Sequence, residues 1–183
     1  MGRHFAEIAF TPAVQAEQQA LGSQAHYAQV AAQGRDDSVL TAREIGLIQA
    51  RDSVYLATVS ETGWPYMQHR GGPPGFVRVL DARTIGFADL HGNRQHISVG
   101  NLANNDRVSL FFMDYANRRR LKLLGHARVV RDDPDLLARL TPPGAESLAE
   151  SAVVIEVAGH DWNCPQHITP RLTLEEWQAI SPA

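Results

Sequence analysis

Apolar and polar positions recur at helical spacing near both ends of the chain and alternate through its middle, and this division predicts most of the elements. Thr11 followed by Pro12 reads as an N-cap with proline at the first helical position, and Val14, Leu21, Ala25 and Ala28 then recur at helical spacing up to Gly34. One helix over 11–34 is expected. Thr41 and Glu44 form a capping box for a shorter helix that carries Ile45, Leu47 and Ile48 and ends near Arg51. Residues 53–60 (SVYLATVS) are rich in β-branched and aromatic side chains, and Glu61-Thr62-Gly63 turns them into a second strand over 64–70. Strands over 76–80 and 84–88 flank the turn Asp81-Ala82-Arg83, and 107–113 (RVSLFFM), 119–130 and 152–158 (AVVIEVA) supply three more. In 119–130, Leu121, Leu123, Ala127 and Val129 point one way and Lys122, His126 and Arg128 the other, so one face is core. Short helices are predicted over 93–104, 133–140 and 173–180, the last opened by a capping box of Thr173 and Glu176.

Six or seven strands with turn signals between them and helices at the periphery indicate a small antiparallel barrel, α+β in class. The Gly-rich strand-turn-helix unit of a dinucleotide-binding domain is missing. With 183 residues, 44% of them apolar, the chain reads as one domain: N-terminal helices over 1–51, the barrel over 52–158 and a C-terminal segment over 159–183. No run approaches the ~18 apolar residues of a membrane span. A net charge of -3 argues against nucleic acid. One cysteine, Cys164, cannot build a disulfide framework, which favours a cytoplasmic protein.

The charge is unevenly spread. Residues 64–130 hold ten Lys and Arg against four Asp and Glu, a local +6, and the remainder holds seven against sixteen, a local -9. A basic middle in an acidic chain suits a compact phosphate ligand held at one site, although arginines on solvated strand faces would give the same count.

The most informative stretch is Ile85-Gly-Phe-Ala-Asp-Leu-His-Gly-Asn-Arg-Gln-His96, followed by the run from Asn101 to Phe112. Here a strand is expected to end, a Gly-Asn-Arg turn to open a helix, and an Asn-Asn-Asp turn to lead into an apolar strand. Gly92 permits close backbone approach, the first helical N–H groups are free, and Arg94 can bind phosphate bidentately.

Together with Tyr55-Leu-Ala-Thr-Val-Ser, Gly63-Trp-Pro-Tyr-Met-Gln-His-Arg-Gly71, Gly75-Phe-Val-Arg-Val-Leu and Arg119-Arg-Leu-Lys-Leu-Leu-Gly-His-Ala127, this array resembles the pyridoxamine 5'-phosphate oxidase-like family of FMN-binding split β-barrels. The resemblance covers roughly residues 40–131. It implies a homodimer with FMN in clefts at the subunit interface and a small-molecule substrate. It places the strand Met67, Gln68, His69, Arg70 and Gly71 beside the flavin ring, with Phe87, Ala88 and Asp89 as another wall. Asn93, Arg94 and Gln95 fall at the phosphate, Gln95 where the oxidase itself has Lys, so binding there leans on Arg94, Arg70 and the helix N-terminus. Arg119 and Arg120 align with the Arg-Gln pair that reaches the flavin, with Lys122 on the same strand.

The C-terminal run Gly159-His-Asp-Trp-Asn-Cys-Pro-Gln-His-Ile-Thr-Pro-Arg171 departs from the true oxidase, so vitamin B6 synthesis is not expected. An FMN-dependent oxidoreductase on an unidentified substrate is the leading reading, with Arg70 and His167 as candidates for polarising flavin or substrate and no catalytic acid or base assigned. Alternatives are a flavin- or haem-binding module without turnover, with His69, His126 or His167 as an axial ligand, and a deazaflavin-dependent reductase. Cys164 and His167 suggest a nucleophile and base, against which stand Pro165 and a missing oxyanion signature. His91 and His96 lie off a common helical face, so no metal site is expected. Trp64 and Trp162 are read as interfacial aromatics or as core.

Overall fold

Strict alternation of buried and half-exposed positions in β1 (Ser53–Val59) turns Val54, Leu56 and Thr58 inward and Tyr55 and Ala57 outward. β2 (Pro65–Gly71) pairs with it antiparallel from Ser53–Gly71 to Val59–Pro65 and repeats the pattern: Tyr66, Gln68 and Arg70 are half-buried, Met67 and His69 exposed. Gly63, at φ +87°, supplies the left-handed residue that this hairpin turn needs. The computed structural model describes residues 1–162 and 165–180. β3 (Arg78–Asp81), β4 (Thr84–Leu90), β5 (Arg107–Asp114), β6 (Arg119–Val130) and β7 (Ala149–Trp162) complete one seven-stranded antiparallel sheet in the order β2-β1-β5-β6-β7-β4-β3. This is the expected split barrel. Leu56, Leu110, Phe112, Leu121, Leu123, Ile85, Phe87 and Ile155 fill its core, all fully buried.

A kink in β6 bends the sheet around that core. A register shift between Leu124 and Gly125 kinks β6 against β7, and a Cβ at Gly125 would meet Glu156 O at 2.5 Å, so only glycine fits. The curl brings β2 and β4, separated by four strands in sheet order, close enough for a side-chain ion pair.

Seven helices accompany the sheet among the described residues: α1 (Arg3–Ala9), α2 (Pro12–Ala20), α3 (Gln24–Gln33), α4 (Ala42–Gln49), α5 (Ile97–Leu102), α6 (Pro134–Leu140) and α7 (Leu174–Ile180). None is long and apolar enough to cross a membrane. The capping boxes hold: Thr41 N–H donates to Glu44 at 3.0 Å, and Thr173 and Glu176 cap each other reciprocally.

The structure departs from the sequence-based expectations at five places. The single helix over 11–34 is two, broken where Gly22 takes φ +75° and Ser23 N–H turns back to Gln18 O. α1 was not foreseen, because its cap comes from afar: the Asp37 carboxylate accepts from the N–H groups of His4 and Phe5 at 2.8 and 2.9 Å. The helix over 93–104 starts only at Ile97, since Arg94 and His96 hold left-handed φ values of 58° and 50°. β7 runs to Trp162, so the barrel does not end at 158; the strand over 76–80 begins at Arg78, and Phe76 and Val77 go into the core instead.

Candidate functional site

Inward-facing Gln68 and Arg70 of β2, Asp89 and Leu90 at the end of β4, the loop over 92–96 and the first turn of α5 enclose a cavity of about 190 Å³. Arg70 crosses the seam of the sheet and donates from Nη1 to Asp89 Oδ1 at 2.6 Å. Asp89 is 6% exposed, and the Arg70 Nε is buried without a hydrogen-bond partner. The guanidinium lies 6.0 Å from the centre of the Phe87 ring. A second cavity of about 160 Å³ shares Arg70 and is lined by His69, Gly71, Phe76, Phe87 and Ala88. The two cavities share Arg70 and Leu90 in their linings and lie beside β2, an edge strand of the sheet.

The loop side is built by unusual backbone. Arg94 at positive φ costs on the order of 1–2 kcal/mol, which the fold tolerates beside Gly92, where added side-chain bulk would meet almost nothing. Asn93 Oδ1 accepts the Gln95 N–H at 3.2 Å and shapes the turn. Among the described residues Arg94 has no ion-pair partner. α5 is pinned from below by two hydrogen bonds, Ser98 Oγ to Gln68 Oε1 at 3.0 Å and Asn101 Nδ2 to Thr58 Oγ1 at 2.9 Å. At the mouth, His91 Nδ1 and Glu150 Oε1 are 2.9 Å apart. That hydrogen bond, helped by the charges of His91, His96 and Arg94, holds the Glu150 carboxyl below the usual carboxylate range.

Of the residues expected at the site, Gln68, Arg70, Asp89, Asn93 and Arg94 line the first cavity, and His69, Gly71, Phe87 and Ala88 the second. Met67 faces outward, and Gln95 contributes its backbone to the turn. Arg119 and Arg120 lie at the far end of the β5–β6 hairpin, opposite Asp114 and Met113, away from both cavities of their own chain. His167, at φ +63°, is exposed and lines neither cavity. Cys164 lies outside the described residues. His126 pairs with Asp106 at 3.0 Å, and among the described residues no three metal-ligating side chains gather. Trp64 is exposed; Trp162 instead donates from Nε1 to Glu44 Oε1 at 2.5 Å, with Arg43 over its ring at 4.1 Å. Sequence reasoning missed Ser98 and Glu150, and it weighed His91 only as a metal ligand. Only the pairing of β4 with β7 brings Glu150 to the cleft, and no local pattern announces it.

The outward face of β2, β1, β5 and β6 presents a second feature. Register places His69, Tyr55, Phe111 and Lys122 in one row and Met67, Ala57, Ser109 and Leu124 in the next, with Arg120 beside Met113. Met67 is 65% exposed on this largely apolar surface. The Arg120 Nε is buried with no hydrogen-bond partner.

The model of the family described as pyridoxamine 5'-phosphate oxidase matches residues 41–180. No curated protein matches the chain. Among solved structures, HupZ of Group A Streptococcus superposes with a TM-score of 0.56 at 16% identity, over 73% of this chain and 99% of that one. A putative pyridoxamine 5'-phosphate oxidase from Lactobacillus delbrueckii does so at 0.54 and 21%, over 69% and 96%. An FMN-binding protein from Syntrophomonas wolfei gives 0.55 and 9%, over 80% and 97%. At such identities the likeness shows the fold.

Proposed function

The chain belongs to the pyridoxamine 5'-phosphate oxidase family, and from that premise we propose that it is an FMN-dependent oxidoreductase acting as a homodimer on a small substrate. One observation carries the reading: a half-buried arginine with a buried, unused Nε lines two cavities beside an edge strand, and an unpaired arginine stands at one of them.

The residues present fit a flavin phosphate. Asp89 already balances Arg70, so the arginine left without an ion-pair partner for a phosphate is Arg94, with Glu150 as the other carboxylate at the cavity. Arg94 and the open backbone at Gly92 would hold the phosphate, with Arg70 Nε and the Gln68 side chain along the chain that joins phosphate to ring. The expected helix N-terminus contributes less, because α5 starts three residues after Arg94. Phe87 and Ala88 would wall the ring, and the outer N–H and C=O groups of β2 would meet its polar edge. Bound there, the flavin supplies the electron transfer; the protein supplies position and electrostatics.

The outward apolar face would be the dimer surface. Arg119 and Arg120, remote from their own cleft, would then enter the partner's. His167 remains a candidate for substrate polarisation from the C-terminal segment.

The test is the visible spectrum of the purified protein, with the chromophore released by denaturation and identified by mass. Yellow protein releasing one FMN per chain is expected. Colourless protein that takes up no added FMN would overturn the reading, and a haem or deazaflavin spectrum would replace it.

A further inference from the structure

β7 carries a bulge where it passes the cleft. Asp89 pairs with Ser151 and Leu90 with Ala149, so Glu150 stands between two ladder positions with no partner on β4. A bulge leaves its extra residue out of the ladder and re-aims that side chain. Here the Glu150 carboxylate joins the lining of the cavity that holds Gln68, Arg70 and Arg94. His91 fixes it there. The His91 N–H donates to Leu148 O at 2.6 Å, and His91 Nδ1 lies 2.9 Å from Glu150 Oε1.

A carboxylate is unexpected in a cavity that fits a phosphate, and its position in the cavity supplies the reason. Arg70, Asp89 and Ser98 form a buried or half-buried wall, whereas Asn93, Arg94, His96 and Glu150 form an exposed rim. On the FMN reading, Phe87 and Ala88 wall the ring and Arg94 holds the phosphate, the outermost group, at this rim. Anything esterified to that phosphate leaves the cavity over the rim, beside Glu150. Positive charge there is scarce: Asp89 holds Arg70, Arg94 stands opposite Glu150, and His91 and His96 are the other titratable groups. The hydrogen bond from His91 lowers the pKa of the Glu150 carboxyl and so keeps it ionised. A second anionic group beyond the phosphate therefore meets a fixed negative charge.

We propose that Glu150, set by the bulge and held by His91, restricts this cleft to flavins whose phosphate is terminal and rejects those extended through the phosphate by a further anionic group, such as FAD. The inference rests on the FMN reading and names what enforces it. FAD contains every group of FMN, so attractive contacts to the shared part cannot tell the two apart, and a repulsive element must. Shape does not supply it at this rim, because the space beside Gly92 is open, with Leu90 O at 4.0 Å as the nearest atom to an added Cβ. The Glu150 charge does.

The test is a competition. The full chain is dialysed to equilibrium against an equimolar mixture of FMN, FAD and riboflavin, and the flavins released by denaturation are quantified by mass. The parent should hold FMN over FAD by about fivefold, the size of one partly exposed charge contact. Glu150→Gln keeps the length of the side chain and a hydrogen bond for His91 but removes the charge, and it should bring the two near parity; Glu150→Lys should favour FAD. All three proteins should still prefer FMN to riboflavin, since Arg94 is intact. The shift should shrink between about 0.05 M and about 0.5 M salt, because the rim is exposed to screening. Three results overturn the proposal: a parent that holds FAD as readily as FMN, a ratio in Glu150→Gln within about twofold of the parent, or a shift of equal size at both salt concentrations, which makes the effect one of shape. Uptake of no flavin by any of the proteins overturns the FMN reading itself, and this inference with it.

Discussion

Arg70 and Asp89 meet at 2.6 Å although four strands separate β2 from β4 in the sheet. A side-chain ion pair thus closes the barrel where no backbone ladder does, and the same arginine forms the wall shared by the two cavities of the cleft. Structure and site depend on one contact.

Asp89→Asn should therefore weaken both. Removing the carboxylate leaves a largely buried guanidinium unpaired, and the expected loss is about 2–4 kcal/mol, somewhat below the cost of breaking a fully buried pair. Urea denaturation measures it. An unchanged midpoint would mean that Arg70 finds water when Asp89 is removed.

Arg94→Ala should act on ligand alone. Its side chain forms no ion pair among the described residues, so stability should change little, while FMN binding should weaken by about 1.5–3 kcal/mol, the scale of a hydrogen bond to a charged group. Flavin fluorescence quenching reads the dissociation constant.

Met67→Glu tests the dimer surface. The side chain is exposed in the single chain, so a charge there leaves the monomer intact. Sedimentation should show a shift toward monomer, with loss of FMN as the partner's Arg119 and Arg120 withdraw. Retention of both dimer and flavin would place the interface elsewhere.

Glu44 makes stability depend on pH. Burial raises its pKa, but hydrogen bonds from Thr41 and Trp162 and the nearby His160 outweigh burial and bring it from 4.5 down to about 2. Because the folded value is the lower one, the stabilisation is fully present above pH ~4.5 and is lost as pH falls toward about 2. Glu44→Gln should cost on the order of 2–3 kcal/mol at neutral pH. It should also flatten the acid limb of a plot of Tm against pH.

Gly125→Ala should destabilise by about 1–3 kcal/mol, since its Cβ would strike the Glu156 carbonyl at the kink of β6. A loss within a few tenths would show that β7 can shift.

Most strands, the hairpin turn and both capping boxes follow from the sequence alone, because period-two alternation, a Gly at positive φ and a Thr three residues before a Glu are local causes with local effects. The family resemblance was also legible, since it resides in runs such as Gly92-Asn-Arg and Gln68-His-Arg. What local pattern could not provide was anything made by residues far apart. α1 depends on a carboxylate more than thirty residues away, β7 runs on to a tryptophan held by Glu44, and Glu150 reaches the cleft only through the ladder with β4. Chemistry and secondary structure were thus set by neighbours along the chain, while closure of the barrel, the two arginines' placement in the cleft and the bulge that aims Glu150 were decided by packing, which acts between residues the sequence keeps apart.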